Sequence, residues 1–116
     1  MTPQKAPSGR VVVTGIGAVT PLGIGVDKFW DCVLSGASGV APITLFDVSE
    51  YTTRIAAEVK GFEPEQFVEK KDARRLDRFI LFAIAGAKMA IEDAGFPEDP
   101  DVRESTGVLI GSGIGG

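Results

Sequence analysis

Two short runs, Val11-Val12-Val13 and Val108-Leu109-Ile110, are apolar at every position, and each leads straight into a glycine-rich stretch. Side chains alternate between the two faces of a strand. A run without polar alternation therefore describes a strand covered on both sides, as central parallel strands are. Such strands belong to layered α/β architectures in which helices lie above and below the sheet. The pattern predicts strands over 10–15 and 107–111, and it requires two covering layers.

The helical patterns supply part of that cover. Over 26–35, Val26, Phe29, Trp30, Val33 and Leu34 fall on one apolar stripe and Gly36 is placed to end the helix, so Phe29 and Trp30 are core candidates. A single long helix is expected over 72–94. It begins basic and turns apolar nearly all round through 79–87, which marks a central, buried helix. Its small residues Ala83, Gly86, Ala87 and Ala90 allow close backbone approach, and Gly95 with Pro97 stops it.

The remaining stretches read as connections. Residues 1–9 mix proline, lysine, serine and glycine without periodicity, the pattern of a disordered leader. Residues 15–23 read as a long turn, 36–53 as turn-rich, 54–59 as a weak strand, 62–67 as a short helix with Pro64 in its first turn, and 99–105 as a polar linker. Two firm strands, one weak strand and two apolar helices cannot cover one another's faces. Each large side chain left in water forfeits about 1.5–3 kcal/mol, so the segment needs further chain or a partner.

Composition narrows the function classes. The chain has no histidine and a single cysteine, Cys32, so it offers neither a Ser-His nor a Cys-His pair, no internal disulfide and no zinc-type ligand cluster. Cys32 lies off the apolar stripe of its helix and reads as a small packing residue. The carboxylates Asp27, Asp31, Glu92 and Asp93 lie in helical patterns beside exposed positions and are not placed for acid–base work. No signal-peptide core is present, and the longest apolar and glycine run, 79–87, is about half a membrane span. The reading is an intracellular, cytoplasmic protein without a membrane segment. A net charge of −4 argues against general nucleic-acid binding.

The final Gly111-Ser112-Gly113-Ile114-Gly115-Gly116 satisfies G-x-G-x-x-G, yet no helix follows to present its N-terminus to a pyrophosphate, nor an acidic residue about 20 positions on. The loop after the first run lacks a third glycine, and Pro21 interrupts the helix expected there. No Gly-Lys-Ser/Thr phosphate loop occurs, and a nucleophile elbow at Ser112 would need glycines where Ile110 and Ile114 stand. No cofactor site is read here.

More informative is a basic cluster. Lys70, Lys71, Arg74, Arg75 and Arg78 place five of the twelve basic residues within nine positions of a net acidic chain. If they open one long helix, its positive end makes each cation unfavourable by roughly 0.3–1 kcal/mol. Either Asp72 and Asp77 pair with them locally, or the cluster is a dock for an anion or an acidic protein.

Taken in order, RVVVTGIGAVTPLG, FWDCVLSGASGVAPITLFD, KKDARRLDRFILFAIAGAKMAIEDAG and VLIGSGIGG resemble the amino-terminal part of the β-ketoacyl-[acyl-carrier-protein] synthases over about 10–116. Within that family the chain looks most like the type II elongating enzymes. Ile114 stands where type I synthases usually carry glycine, and the LFD and LDRF stretches point the same way. The resemblance implies a thiolase-like layered α-β-α-β-α fold, of which this is part of the amino-terminal half, working as a homodimer without a cofactor.

It further implies decarboxylative Claisen condensation by one cysteine and two histidines, none of them within this sequence, so that the segment alone is expected to be inactive. By the same resemblance, Lys71, Arg74 and Arg75 match the positions that receive the acidic acyl carrier protein in its acyl and malonyl forms. Gly113 and Ile114 match the wall of the acyl pocket. A non-catalytic chain-length-factor-like subunit and a polyketide ketosynthase share the early motifs and are the rival readings.

Overall fold

Thr20 organises the first turn of the fold. Its Oγ1 accepts from the backbone N–H groups of Leu22 and Gly23 and donates to the Gly23 carbonyl. This closes a tight hairpin of strands β1 (Val19–Thr20) and β2 (Gly23–Ile24), paired antiparallel with Val19 opposite Ile24. The structure is a computed structural model and describes residues 9–115. The leader expected over 1–9 therefore lies outside the described residues apart from Gly9, as does Gly116.

Helix α1 (Val26–Leu34) follows the hairpin. It ends as expected at Gly36, whose φ of 68° lets its N–H reach the Val33 carbonyl while the Ala37 N–H reaches that of Cys32. Cys32 Sγ donates to the Leu22 carbonyl at 3.3 Å and fastens hairpin to helix, in keeping with a packing role. The expected core stripe is only half realised. Phe29 is half-buried, but Trp30 is 55% exposed. No described element lies over the outer part of the stripe, so its rings and branches remain in water.

The turn-rich region holds a ladder that composition concealed. Strand β3 (Val40–Pro42) pairs antiparallel with β4 (Ile55–Ala57), in the register Val40–Ala57, Ala41–Ala56 and Pro42–Ile55. The weak strand expected over 54–59 is thus real, and its partner was hidden in a three-residue run ending in proline. Glu58 holds the loop between them: its carboxylate accepts from the Thr44 N–H and hydroxyl and from the Leu45 N–H. Those bonds hold the Glu58 carboxyl below the usual glutamate range, those from Thr44 first. Arg54 donates to the carbonyls of Ser49 and Tyr51 and closes the other side.

A 3-10 turn (Pro64–Gln66) precedes α2 (Lys70–Ala73), and α3 (Arg78–Asp93) follows. The single long helix expected over 72–94 is two helices. Leu76 and Arg75 both return their N–H groups to the Asp72 carbonyl, and Asp77 then adopts extended φ/ψ of −65° and 152° at the N-cap of α3. Aspartate is a poor helix-interior residue, and although the Asp77 side chain makes no cap hydrogen bond, its extended backbone restarts the helix, which the apolar pattern does not register. The far end behaves as expected. Gly95, at φ 56°, donates to the Glu92 carbonyl, and the Phe96 N–H reaches that of Ile91. The linker over 99–105 is in fact α4 (Pro100–Glu104), with Asp99 accepting from the Asp101 N–H and proline in the first turn.

Helix α3 is the axis of the structure. Leu81 and Ala85 are the buried hydrophobic residues among those described, both on this helix. The loop at 15–17 lies directly on its small-residue stripe. A Cβ at Gly15 would fall within 3 Å of Ala90 and Ala94 atoms, and one at Gly17 within 3 Å of the Gly86 carbonyl group. Ile16 N–H donates to Asp93 Oδ2 at 2.9 Å, which gives Asp93 a structural task.

The two firmest strand expectations are not met. Residues 10–15 and 107–111 form no ladder among the described residues, and Val11 and Leu109 are essentially fully exposed. A strand without a neighbour has no partner for its N–H and C=O groups, and these two are not paired with each other. The shortage of cover inferred from the layer count is therefore visible as exposed apolar surface.

Candidate functional site

The basic turn is built by the break between α2 and α3. Lys71 lies within α2, Arg74 is its C-cap with φ −90° and ψ −13°, and Arg75 is in the turn that follows. The three side chains are exposed. Because the helix restarts at Asp77, these cations do not sit in the opening turns of a long helix. The dipole penalty expected from a continuous helix does not apply to them, and only Arg78 stands in the first turn of α3.

Local neutralisation by Asp72 and Asp77 does not occur either. Among the described residues the ion pairs are Lys70 with Glu65, at 3.9 Å and exposed, and Arg103 with Glu98, at 3.0 Å. Lys71, Arg74 and Arg75 have no carboxylate within 4 Å in the described structure. Arg78 leaves the cluster altogether: it donates to the Val59 carbonyl and its guanidinium carbon lies 4.9 Å over the Phe82 ring. Sequence reasoning missed this division of labour, since five basic residues within nine positions look alike until their directions are known.

The second candidate region is the glycine-rich stretch. It bends at Gly113 and Ile114, and Ile114 is fully exposed. Gly115, at φ 91°, comes back beside Phe79, whose Cζ would stand 3.8 Å from a Cβ there. A cleft of about 480 Å³ runs between α3 and residues 110–112, walled by Phe79, Phe82, Ala83 and Ile110. A larger one, about 620 Å³, continues along the same helix past Gly86, Ala90 and Leu109. Both linings are mainly apolar, with Ser112 in the first and Thr106 in the second as their hydroxyl residues, so the surface suits hydrocarbon or a covering apolar element. Gly113 and Ile114 line neither cleft.

The described residues thus present a turn of exposed cations without carboxylate partners and, along α3, two mainly apolar clefts. Residues 8–116 match the family described as beta-ketoacyl synthase, N-terminal domain. The chain belongs to the beta-ketoacyl synthase family. Similar relatives include the 3-oxoacyl-[acyl-carrier-protein] synthase 2 of Synechocystis sp., of Vibrio cholerae and of Coxiella burnetii, at 45%, 47% and 48% identity over 107 residues. Each alignment covers 92% of this chain and 26% of the relative, so the chain spans about a quarter of their length.

Solved ketosynthase structures are similar to the chain in fold. The ishigamide ketosynthase/chain length factor is 37% identical with a TM-score of 0.66, over 75% of this chain and 22% of the other. A beta-ketoacyl synthase from Burkholderia phymatum is 28% identical with a TM-score of 0.63, over 80% and 23%. The fold of this beta-ketoacyl synthase segment is accordingly a part of the thiolase-like α/β fold. Among the described residues no helix is long and apolar enough to cross a membrane.

Proposed function

We propose that residues 10–116 are the amino-terminal part of a type II 3-oxoacyl-[acyl-carrier-protein] synthase, a cytoplasmic, homodimeric acyltransferase of fatty-acid elongation that needs no cofactor. What carries the reading is the likeness to three synthases of that name over 92% of the chain. In the complete enzyme a cysteine thiolate attacks the acyl thioester and releases the carrier thiol. The malonyl carrier then loses carbon dioxide, and the resulting enolate attacks the acyl-cysteine carbonyl. A new carbon–carbon bond forms and the thiolate is freed. Histidines elsewhere in the protein stabilise the developing oxyanion.

This segment contributes recognition. Lys71, Arg74 and Arg75, exposed and without carboxylate partners, receive the acidic acyl carrier protein in its acyl and malonyl forms, and complementary charge there raises encounter rate and fixes orientation. Gly113 and Ile114 form part of the wall around the acyl chain, with the bulk of Ile114 acting on the length accepted. That role requires Ile114 to become covered by other parts of the enzyme, since here it is bare.

Charge reversal tests the docking reading. In the complete enzyme, Lys71→Glu with Arg74→Glu and Arg75→Glu is expected to raise the apparent KM for acyl-carrier protein about tenfold at low salt, each exposed pair contributing up to about 1 kcal/mol. The effect should shrink as the Debye length contracts from about 10 Å at 0.1 M salt to about 3 Å at 1 M. An unchanged KM at low salt removes the docking role.

A further inference from the structure

Two other cations near the basic turn, exposed themselves, bond to main-chain carbonyls of the fold. Arg78 Nη2 donates to the carbonyl of Val59, and Lys88 Nζ donates to the carbonyl of Phe67. Both side chains come from α3, ten positions apart, which is about 15 Å along the helix axis. They grip the two ends of one connecting segment. Between the grips, the Phe62 and Phe67 rings stack at 5.8 Å, and Phe62 meets Phe82 of α3 edge-on at 4.9 Å. The Arg78 guanidinium covers the same Phe82 ring. Three positions beyond Phe67 the chain enters α2, which carries Lys71 and is capped by Arg74.

We propose that Arg78 and Lys88 are positioning residues, clamping residues 59–67 to α3 so that Lys71, Arg74 and Arg75 meet an acidic carrier protein in one fixed geometry. The inference rests on the docking reading above and adds residues that touch no carrier themselves. A cation held in place loses less conformational freedom on binding than one on a loose loop, so the clamp acts on affinity. Neither residue needs to contribute its charge at the surface, because each donor already has a carbonyl acceptor within the fold.

The test uses the complete enzyme with Arg78→Met and Lys88→Met, singly and together, in the unaltered background and in the Lys71→Glu, Arg74→Glu, Arg75→Glu background. The clamp variants are expected to raise KM for acyl-carrier protein about two- to fivefold, with kcat unchanged and KM for an acyl-pantetheine substrate unchanged. In the charge-reversed background they are expected to add nothing, since no productive surface is left to position. An additive rise in that background would make Arg78 and Lys88 independent docking charges and overturn the proposal, as would an unchanged carrier KM in the unaltered background. Should the methionine variants fail to fold, Arg78→Leu and Lys88→Leu, which likewise remove the donor and keep an apolar stem, are read by the same criteria. If the charge reversals themselves leave KM unmoved, the docking reading fails, and the clamp as a docking device fails with it. If only the clamp variants are silent, docking stands.

Discussion

A single methyl group placed on either side of one contact tests how the chain is packed. The loop at 15–17 lies against the backbone of α3, and a Cβ at Gly17 would fall within 3 Å of the Gly86 carbonyl oxygen and carbon. These are main-chain atoms in the middle of the helix that bears the buried Leu81 and Ala85, so they have little freedom to move aside. Gly17 does not have a positive φ, so its backbone conformation tolerates alanine and the collision alone decides the outcome. Overpacking of this kind costs about 1–3 kcal/mol, and contact with immobile backbone places Gly17→Ala near the top, about 3 kcal/mol. Gly86→Ala is the mirror test. Its Cβ would meet nothing within 4 Å, so alanine should instead stabilise the helix by about 0.5–1 kcal/mol. Urea unfolding followed by circular dichroism measures both, with equal m-values showing that the unfolding transition is otherwise the same. A Gly17→Ala variant within about 0.5 kcal/mol of the unaltered chain would refute the packing argument, as would a Gly86→Ala variant that loses stability.

Two further outcomes follow from local chemistry. The Glu58 carboxyl is held below its ordinary value by the Thr44 and Leu45 donors, so the stabilisation of the 44–53 loop is complete above the unfolded value near 4.5 and is lost as pH falls through the lowered folded value. Protection factors of the Thr44 and Leu45 amides, taken against the intrinsic exchange rate at each pH, should therefore fall on acidification below 4.5, and Glu58→Gln should abolish that fall; a fall in protection retained in Glu58→Gln would refute the assignment. Gly95→Ala must place a side chain at φ 56° and should cost about 1–2 kcal/mol in thermal or urea unfolding, whereas a neutral result would mean that the helix end rearranges freely.

Local signals translated well where the structure depends on neighbours a few residues away. Gly36 and Gly95 end their helices with the bonds their positions implied, Pro64 sits in its short turn, and the small residues of α3 do receive a backbone at van der Waals range. The expected helix ran on through Asp77, because the charged stretch before it and the apolar stretch after it both suit a helix, and a restart between them changes the chain direction without interrupting the pattern. Asp99-Pro100 was a legible cap read as linker, and Val40–Pro42 was too short to stand out from its turns. The runs at 10–15 and 107–111 have strand sequences and no strand partners, since pairing is a property of neighbours that the described residues do not supply.

The candidate site was legible by residue type and illegible by direction. Lys71, Arg74 and Arg75 emerged from the sequence as a cluster together with Lys70 and Arg78. Only three-dimensional placement separates Lys70, paired with Glu65, and Arg78, bonded to Val59, from the three that remain without carboxylate partners. Lys88 gave no signal, because a lysine on a helix reads as a solvated face until its acceptor is known. The relationship to beta-ketoacyl synthases came from four ordered motifs, and the alignments with its relatives extend beyond them to 92% of the chain.

The central claim is that this segment receives carrier-bound substrate while the bond-making chemistry resides elsewhere in the complete enzyme. Its most direct measurement is a condensation assay with acyl- and malonyl-carrier proteins, following 3-oxoacyl product and released carbon dioxide by mass spectrometry, on the 116-residue chain and on the complete enzyme side by side. Product and carbon dioxide are expected from the complete enzyme and none above blank from the chain alone. Turnover by the isolated chain, which holds no histidine and only Cys32, would contradict it, as would a complete enzyme that forms no carbon–carbon bond.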